Sequence, residues 1–164
     1  MPRRPDFSFA CAVASFDQTA GVPLSPKLEK LVEDLAVLDD PQERLMLLVD
    51  RAKRSPPLPP EDRIEPNRVR ACVSVVWITA EMRDGRCHFR ADAESPVVRA
   101  LVVLLCDFFS GFTPDAIASG DIDPLAALGV TDNLSPTRRN GLTAALNTIR
   151  AFAQAHRDHA AAAS

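Results

Sequence analysis

The side chains with the widest chemical range in this sequence are four cysteines, Cys11, Cys72, Cys87 and Cys106. A thiolate can attack sulfur, bind a soft metal or form a disulfide, and the last two uses leave spacing signatures. No two of the four form a C-x-x-C pair, and they are spread too widely for a small stapled scaffold. The histidines, His88, His156 and His159, lie at no spacing that completes a zinc site. Reduced thiols and no metal are therefore expected.

Cys72 differs from the others in its setting. It sits in ACVSVVW, after PNRVR, where a short strand or loop must feed a β segment. Cys87 and Cys106 fall within regular apolar elements and read as small core side chains. Read locally, Cys72 has two assignments side by side: a buried structural cysteine, or a thiol presented to a partner at a junction. Its neighbours are apolar Val73 and Val75, with no adjacent lysine or histidine. The resting thiol is expected to be shielded, with activation supplied from outside the chain.

The rest of the chain must position that residue. A length of 164 residues fits one domain able to bury its own core. A net charge of −3 and a pI near 5.6 offer no broad attraction for nucleic acid or an anionic membrane. Aromatics make up 5% of residues, with Trp77 the one tryptophan and no tyrosine, so stacking platforms for bases are missing. Near the start, Arg3 and Arg4 precede FSFACAVASF, a faint echo of a secretory leader that Asp6 and the serines interrupt. No segment reaches the roughly 18 apolar residues that span a bilayer. The expectation is a cytoplasmic protein with a flexible extension over 1–22, one domain over 23–158 and a disordered tail over 159–164.

Helix starts are marked by a capping residue followed by proline: Ser25-Pro26, Asp40-Pro41, Ser95-Pro96, Thr113-Pro114, Asp123-Pro124 and Ser135-Pro136. Asp40 with Glu43 fits a capping-box spacing. These signals predict helices over 26–38, 41–53, 96–109, 114–119, 124–128 and 137–157, the fifth stopped by Gly129. In the last, Leu142, Ala145, Leu146, Ile149, Phe152 and Ala153 form one apolar stripe. The proline-rich stretch RSPPLPPEDRIEP predicts an extended surface connection.

From Val69 to Asp92 the pattern turns to β, and Asp84-Gly85 marks a two-residue hairpin turn. That turn pairs Arg83 with Arg86, Met82 with Cys87, Ala80 with Phe89 and Ile78 with Ala91. One face then carries Val76, Ile78, Ala80, Met82, Cys87, Phe89 and Ala91 as core. Glu81, His88, Arg90 and Asp92 fall with Trp77 on the polar side. Cys72 lies off this ladder and is not expected to pair with Cys87.

Three motifs run in order along the chain: N-x-V-x-(G/A)-C-x-S-x-V-W over Asn67 to Trp77, F-x-A-D-x-(D/E)-S-x-V-V over Phe89 to Val98, and L-S-P-x-R-x-N-G-L over Leu134 to Leu142. Together they resemble the SufE-type sulfur-acceptor proteins, the likeness extending from about Leu28 to Phe152. The resemblance implies an α+β fold, SufE/IscU-like, with an antiparallel sheet of about three strands packed against several helices. It implies that Cys72 takes persulfide sulfur from a SufS-like cysteine desulfurase, stimulating it, and delivers it to a SufBCD-like scaffold for iron–sulfur cluster assembly. On this reading pyridoxal phosphate resides in the desulfurase, the chain itself needs no cofactor, and it is a monomer or weak dimer. Docking is expected to swing the cysteine loop outward.

The likeness further places Glu94, Arg138 and Asp92 at partner-binding positions, and Asn67, Ala71, Ser74 and Asn140 at positions that hold the loop. Ala71 stands where the family commonly has glycine, and Val73 and Val75 where it often has polar residues. Two other roles compete: a scaffold for an iron–sulfur cluster or zinc, and a module that binds a desulfurase without accepting sulfur.

Overall fold

Proline after a capping side chain sets where most of the helices begin. The structure, a computed structural model, describes residues 25–70 and 73–163. Its helices are α1 (Ser25–Ala36), α2 (Pro41–Ala52), α3 (Pro96–Phe109), α4 (Pro114–Ser119), α5 (Pro124–Ala127) and α6 (Pro136–Ala162). Ser95, Thr113 and Ser135 each accept a hydrogen bond from the backbone N–H three residues on, and Asp123 accepts from Leu125 and Ala126. The Asp40 carboxylate takes the Gln42 N–H at 2.9 Å, one residue nearer than the capping-box spacing implied. Gly129 closes α5 with a φ of +65°, a conformation glycine adopts without strain.

The last helix departs from expectation. It continues to Ala162, so residues 159–162, expected as disordered tail, are helical. A run of alanines, the strongest helix former, carries it past the last apolar contacts.

Hairpin strands β1 (Val76–Arg83) and β2 (Arg86–Ala93) pair antiparallel in the register expected from the turn. Asp84 and Gly85 have φ of 52° and 73°, and two left-handed residues in succession match the twist of the flanking strands. Among the described residues the sheet has two strands rather than about three, and beside them lies an isolated bridge between Arg68 and Trp77. Prolines 56, 57, 59, 60 and 66 remove ladder donors just upstream, and little extended chain is left to pair. The connection is also less extended than expected, with 3₁₀ turns at Pro60–Asp62 and Glu65–Asn67.

Both hairpin edges are covered near the core. On the β2 side, Cys87 N–H donates to the Phe112 carbonyl and Gly111 N–H to the Cys87 carbonyl, each at 2.8 Å. The apolar face of the hairpin rests on α3, which also packs against α2, α5 and α6. Because neighbours surround it, α3 is buried almost continuously from Val98 to Phe109. Phe89 meets Phe152 edge to face at 5.6 Å, joining the hairpin to α6. Lys27 Nζ donates to the carbonyls of Asp107, Phe108 and Ser110 at the end of α3, which anchors α1 there.

Ile149 lies at the centre of the α6 stripe and is 0% exposed. Ile149→Ala should lower unfolding free energy by about 2–5 kcal/mol through lost burial and the cavity left behind. Urea denaturation followed by circular dichroism measures this, and a loss of under about 1 kcal/mol would contradict the packing described.

Candidate functional site

Ala71 and Cys72 lie outside the described residues, so the site is built from the chain on either side of them. The segment is closed at its base. Val69 N–H donates to the Val76 carbonyl at 2.9 Å, beside the Arg68–Trp77 bridge. On the other side, Glu94 N–H donates to the Val75 carbonyl at 3.1 Å and ties the returning chain to the end of β2. Val73 next to the cysteine is 81% exposed, an apolar side chain standing in water. Ser74 and Val75 are half-buried.

Beneath this segment lies Asp92, which the alternation of the strand puts on the polar face. Its face is as expected, but the side chain is buried, with 4% of the residue exposed. The proline-rich connector covers that part of the hairpin, a placement strand alternation does not report. Oδ1 accepts from Arg99 Nε at 2.8 Å and from its neighbour Ala93 N–H at 2.9 Å. Oδ2 accepts from Arg63 at 2.6 Å and from Leu58 N–H at 3.1 Å. A carboxylate so enclosed joins internal elements, and in this arrangement its oxygens do not face a docking partner. Burial pushes its carboxyl up. The Arg99 hydrogen bond, the Ala93 and Leu58 N–H groups and the Arg63 charge outweigh that, and the net shift is downward.

Arg99 reaches further, donating to the Ala52 carbonyl at 2.5 Å and the Ser55 carbonyl at 2.9 Å. It thus caps α2 and holds the start of the connector. Arg63 also lies over the Trp77 ring, 5.8 Å from its centroid. Neither arginine was singled out from the sequence. The available signal was indirect: a long connector inside one domain needs partners for its backbone, and arginines flank it on both sides.

The other candidate residues are distributed unevenly around the segment. Asn67 donates its side-chain amide to the Asp62 carbonyl at 2.8 Å, inside the connector. Glu94 is exposed and adjoins the segment through its backbone. Arg138 and Asn140 are exposed on the first turns of α6, and no hydrogen bond or ion pair joins them to the described residues of the segment. Cys87 and Cys106 are 0% and 1% exposed, as expected of core side chains. Burial pushes the Cys87 thiol up to about 11 and moves the Cys106 thiol in the same direction. Among the described residues, no group of three or more His, Cys, Asp or Glu is placed to hold a metal, and no helix is long and apolar enough to cross a membrane.

The family model for the SufE, Fe-S metabolism associated domain matches residues 29–153, which include the cysteine segment, the hairpin and most of α6. The chain belongs to the SufE family. Among its relatives, an uncharacterised SufE-like protein of Synechocystis sp. is 36% identical over 122 residues, 74% of this chain and 77% of that protein. Another uncharacterised SufE-like protein, from Rhizobium meliloti, is 29% identical over 132 residues, covering 77% and 94%. The solution structure of a hypothetical protein from Thermus thermophilus superposes with a TM-score of 0.64 at 27% identity, covering 79% of this chain and 94% of that one. The SufE fold is α+β here too, with a two-stranded antiparallel sheet against helices.

The Asp92 network gives this SufE chain a defined acid response. Because the folded carboxyl titrates below its unfolded value of about 4, its ionised form stabilises the fold above that pH. That contribution is lost as pH falls through the folded value. Asp92→Asn should lower stability by about 3 kcal/mol at pH 7, where it leaves Arg99 without its counter-charge, and should flatten the decline between pH 5 and 3. Urea midpoints across that range test this, and an equally steep acid decline in the variant would contradict it.

Proposed function

We propose that Cys72 is a sulfur acceptor, taking the outer sulfur of a persulfide carried by a cysteine desulfurase and passing it on for iron–sulfur cluster assembly. The observation that carries this reading is the closed base of the Cys72 segment, Val69 to Val76, in a chain whose SufE match spans that segment. A carrier thiol must reach into another protein and still return to a defined place. Ends pinned to a sheet, with Val73 beside the cysteine in water, suit both needs.

The exchange is a thiol displacement without net oxidation. The Cys72 thiolate attacks the sulfane sulfur of the desulfurase persulfide. A new S–S bond forms on Cys72, the old one breaks, and the desulfurase cysteine leaves as thiolate, taking up the proton that Cys72 released. Cysteine is required because its sulfur is both a soft nucleophile and a competent leaving group. The pyridoxal phosphate that generates the persulfide belongs to the desulfurase, and a cluster-assembly scaffold receives the sulfur in a second displacement. Among the described residues, Cys87 and Cys106 are buried and neither is presented for ligation, which supports a thiol carrier over a multi-cysteine scaffold.

Incubation with a cysteine desulfurase and cysteine should add one sulfur atom to the peptide containing Cys72, detected by mass spectrometry under non-reducing conditions. Cys72→Ser should bind the desulfurase but neither accept sulfur nor stimulate it. Undiminished stimulation by that variant would make the protein a binding module instead. Stoichiometric iron or zinc in untagged protein would favour a scaffold.

A further inference from the structure

The connector between α2 and the hairpin meets Asp92 through the Leu58 N–H and the Arg63 side chain, and the Arg63 guanidinium also lies over Trp77 at the base of the cysteine segment. Asp92 and Trp77 are opposed across β1 and β2 and therefore share a face. Arg63 spans them, donating to Asp92 Oδ2 at 2.6 Å while its guanidinium lies over the indole. Trp77 is also where the chain returns from the segment, bridged there by Arg68.

The stretch from Arg63 to the segment is internally braced. Asn67 is bonded to the carbonyls of Asp62 and Ile64, and Arg68 N–H donates to the Glu65 carbonyl at 3.1 Å. Arg68 and Arg70 both pair with Glu65, within the same stretch. Arg63, by contrast, pairs with the hairpin. A displacement at Arg63 is thus transmitted to Val69 through a short braced piece rather than absorbed in slack chain.

We propose that Arg63 is a positioning residue, holding the base of the Cys72 segment against the hairpin so that the thiol is offered to the desulfurase in one arrangement. This rests on the reading of Cys72 as the sulfur acceptor. Arg63 touches none of the reacting atoms in this account. Its role separates from that of Arg99, because the two arginines use different oxygens of Asp92. The Arg99 side chain is 16% exposed against 39% for Arg63. Removing Arg63 therefore leaves the buried carboxylate neutralised by Arg99 and the domain folded.

The test compares wild type, Arg63→Ala and Arg63→Lys by iodoacetamide labelling with peptide mass spectrometry, and by sulfur-transfer kinetics at varied desulfurase concentration. Arg63→Ala should raise the Cys72 alkylation rate about fivefold, as expected when a local anchor is released, while Cys87 and Cys106 stay unlabelled. It should raise the desulfurase concentration for half-maximal transfer about fivefold and change the saturated rate little, since productive presentation then competes with other arrangements. Arg63→Lys, which keeps a cation for the carboxylate but loses the planar guanidinium over Trp77, should give a Cys72 alkylation rate between those of wild type and Arg63→Ala. An unchanged Cys72 labelling rate in Arg63→Ala would overturn the proposal. So would labelling of Cys87 and Cys106 in step with Cys72, which marks general loosening. Alkylation needs no sulfur donor, so a labelling change in a protein that accepts no sulfur would retire the transfer reading while keeping Arg63 as the anchor of the segment.

Discussion

The carboxylate of Asp92 is the constraint on which the arrangement around Cys72 depends. An ion removed from water costs several kcal/mol unless its lone pairs are met, and here both oxygens are met by donors from separate parts of the chain. Leu58 and Arg63 come from the connector, Ala93 from the end of β2 and Arg99 from the first turn of α3. The connector cannot lift away without leaving part of that charge unmet. A proline-rich stretch whose own backbone hydrogen bonds are short-range turns is therefore held against the hairpin by a charge it covers. A two-stranded hairpin is marginal alone, and this one gains a cover on its polar face at the end where the cysteine segment departs.

What could be foreseen from the sequence was what short-range chemistry decides. Caps at Ser95, Thr113, Asp123 and Ser135 and the Asp84-Gly85 turn depend on residues within three or four positions, and the strand register follows from the turn. The misplaced features depend on what lies across space. Asp92 was on the correct face, but whether that face is wet depends on a connector reaching it from more than thirty residues earlier. The missing third strand and the 3₁₀ turns have the same origin. Prolines rule out ladder pairing but do not say which irregular path the chain takes instead.

The site was legible in a similarly divided way. Cys72 stood out by its position at a strand junction, and three ordered motifs carried the family resemblance that the SufE match over 29–153 supports. The residues that secure the segment were not legible as a set. Val69 with Val76, and Val75 with Glu94, are backbone pairs that any side chains at those positions would permit. Arg63 and Arg99 are two among many arginines until the fold brings them to one carboxylate.

The proposed sulfur-acceptor role accounts for this division. On the proposed function, a thiol that trades sulfur with two different proteins has to be presented beyond its own domain at each exchange. Val73 in solvent fits that demand. Definition has to come from below, at the points where the segment joins the sheet, and a charge network achieves this at a distance from the reacting sulfur. A buried hydrophobic contact at the same place would hold the base equally but would not fix a direction. The Asp92–Arg63 hydrogen bond is directional, and the same guanidinium lies over the Trp77 ring, so two contacts define its place. On that reading, the sulfur chemistry and the geometry that supports it fall to different residues of one short stretch.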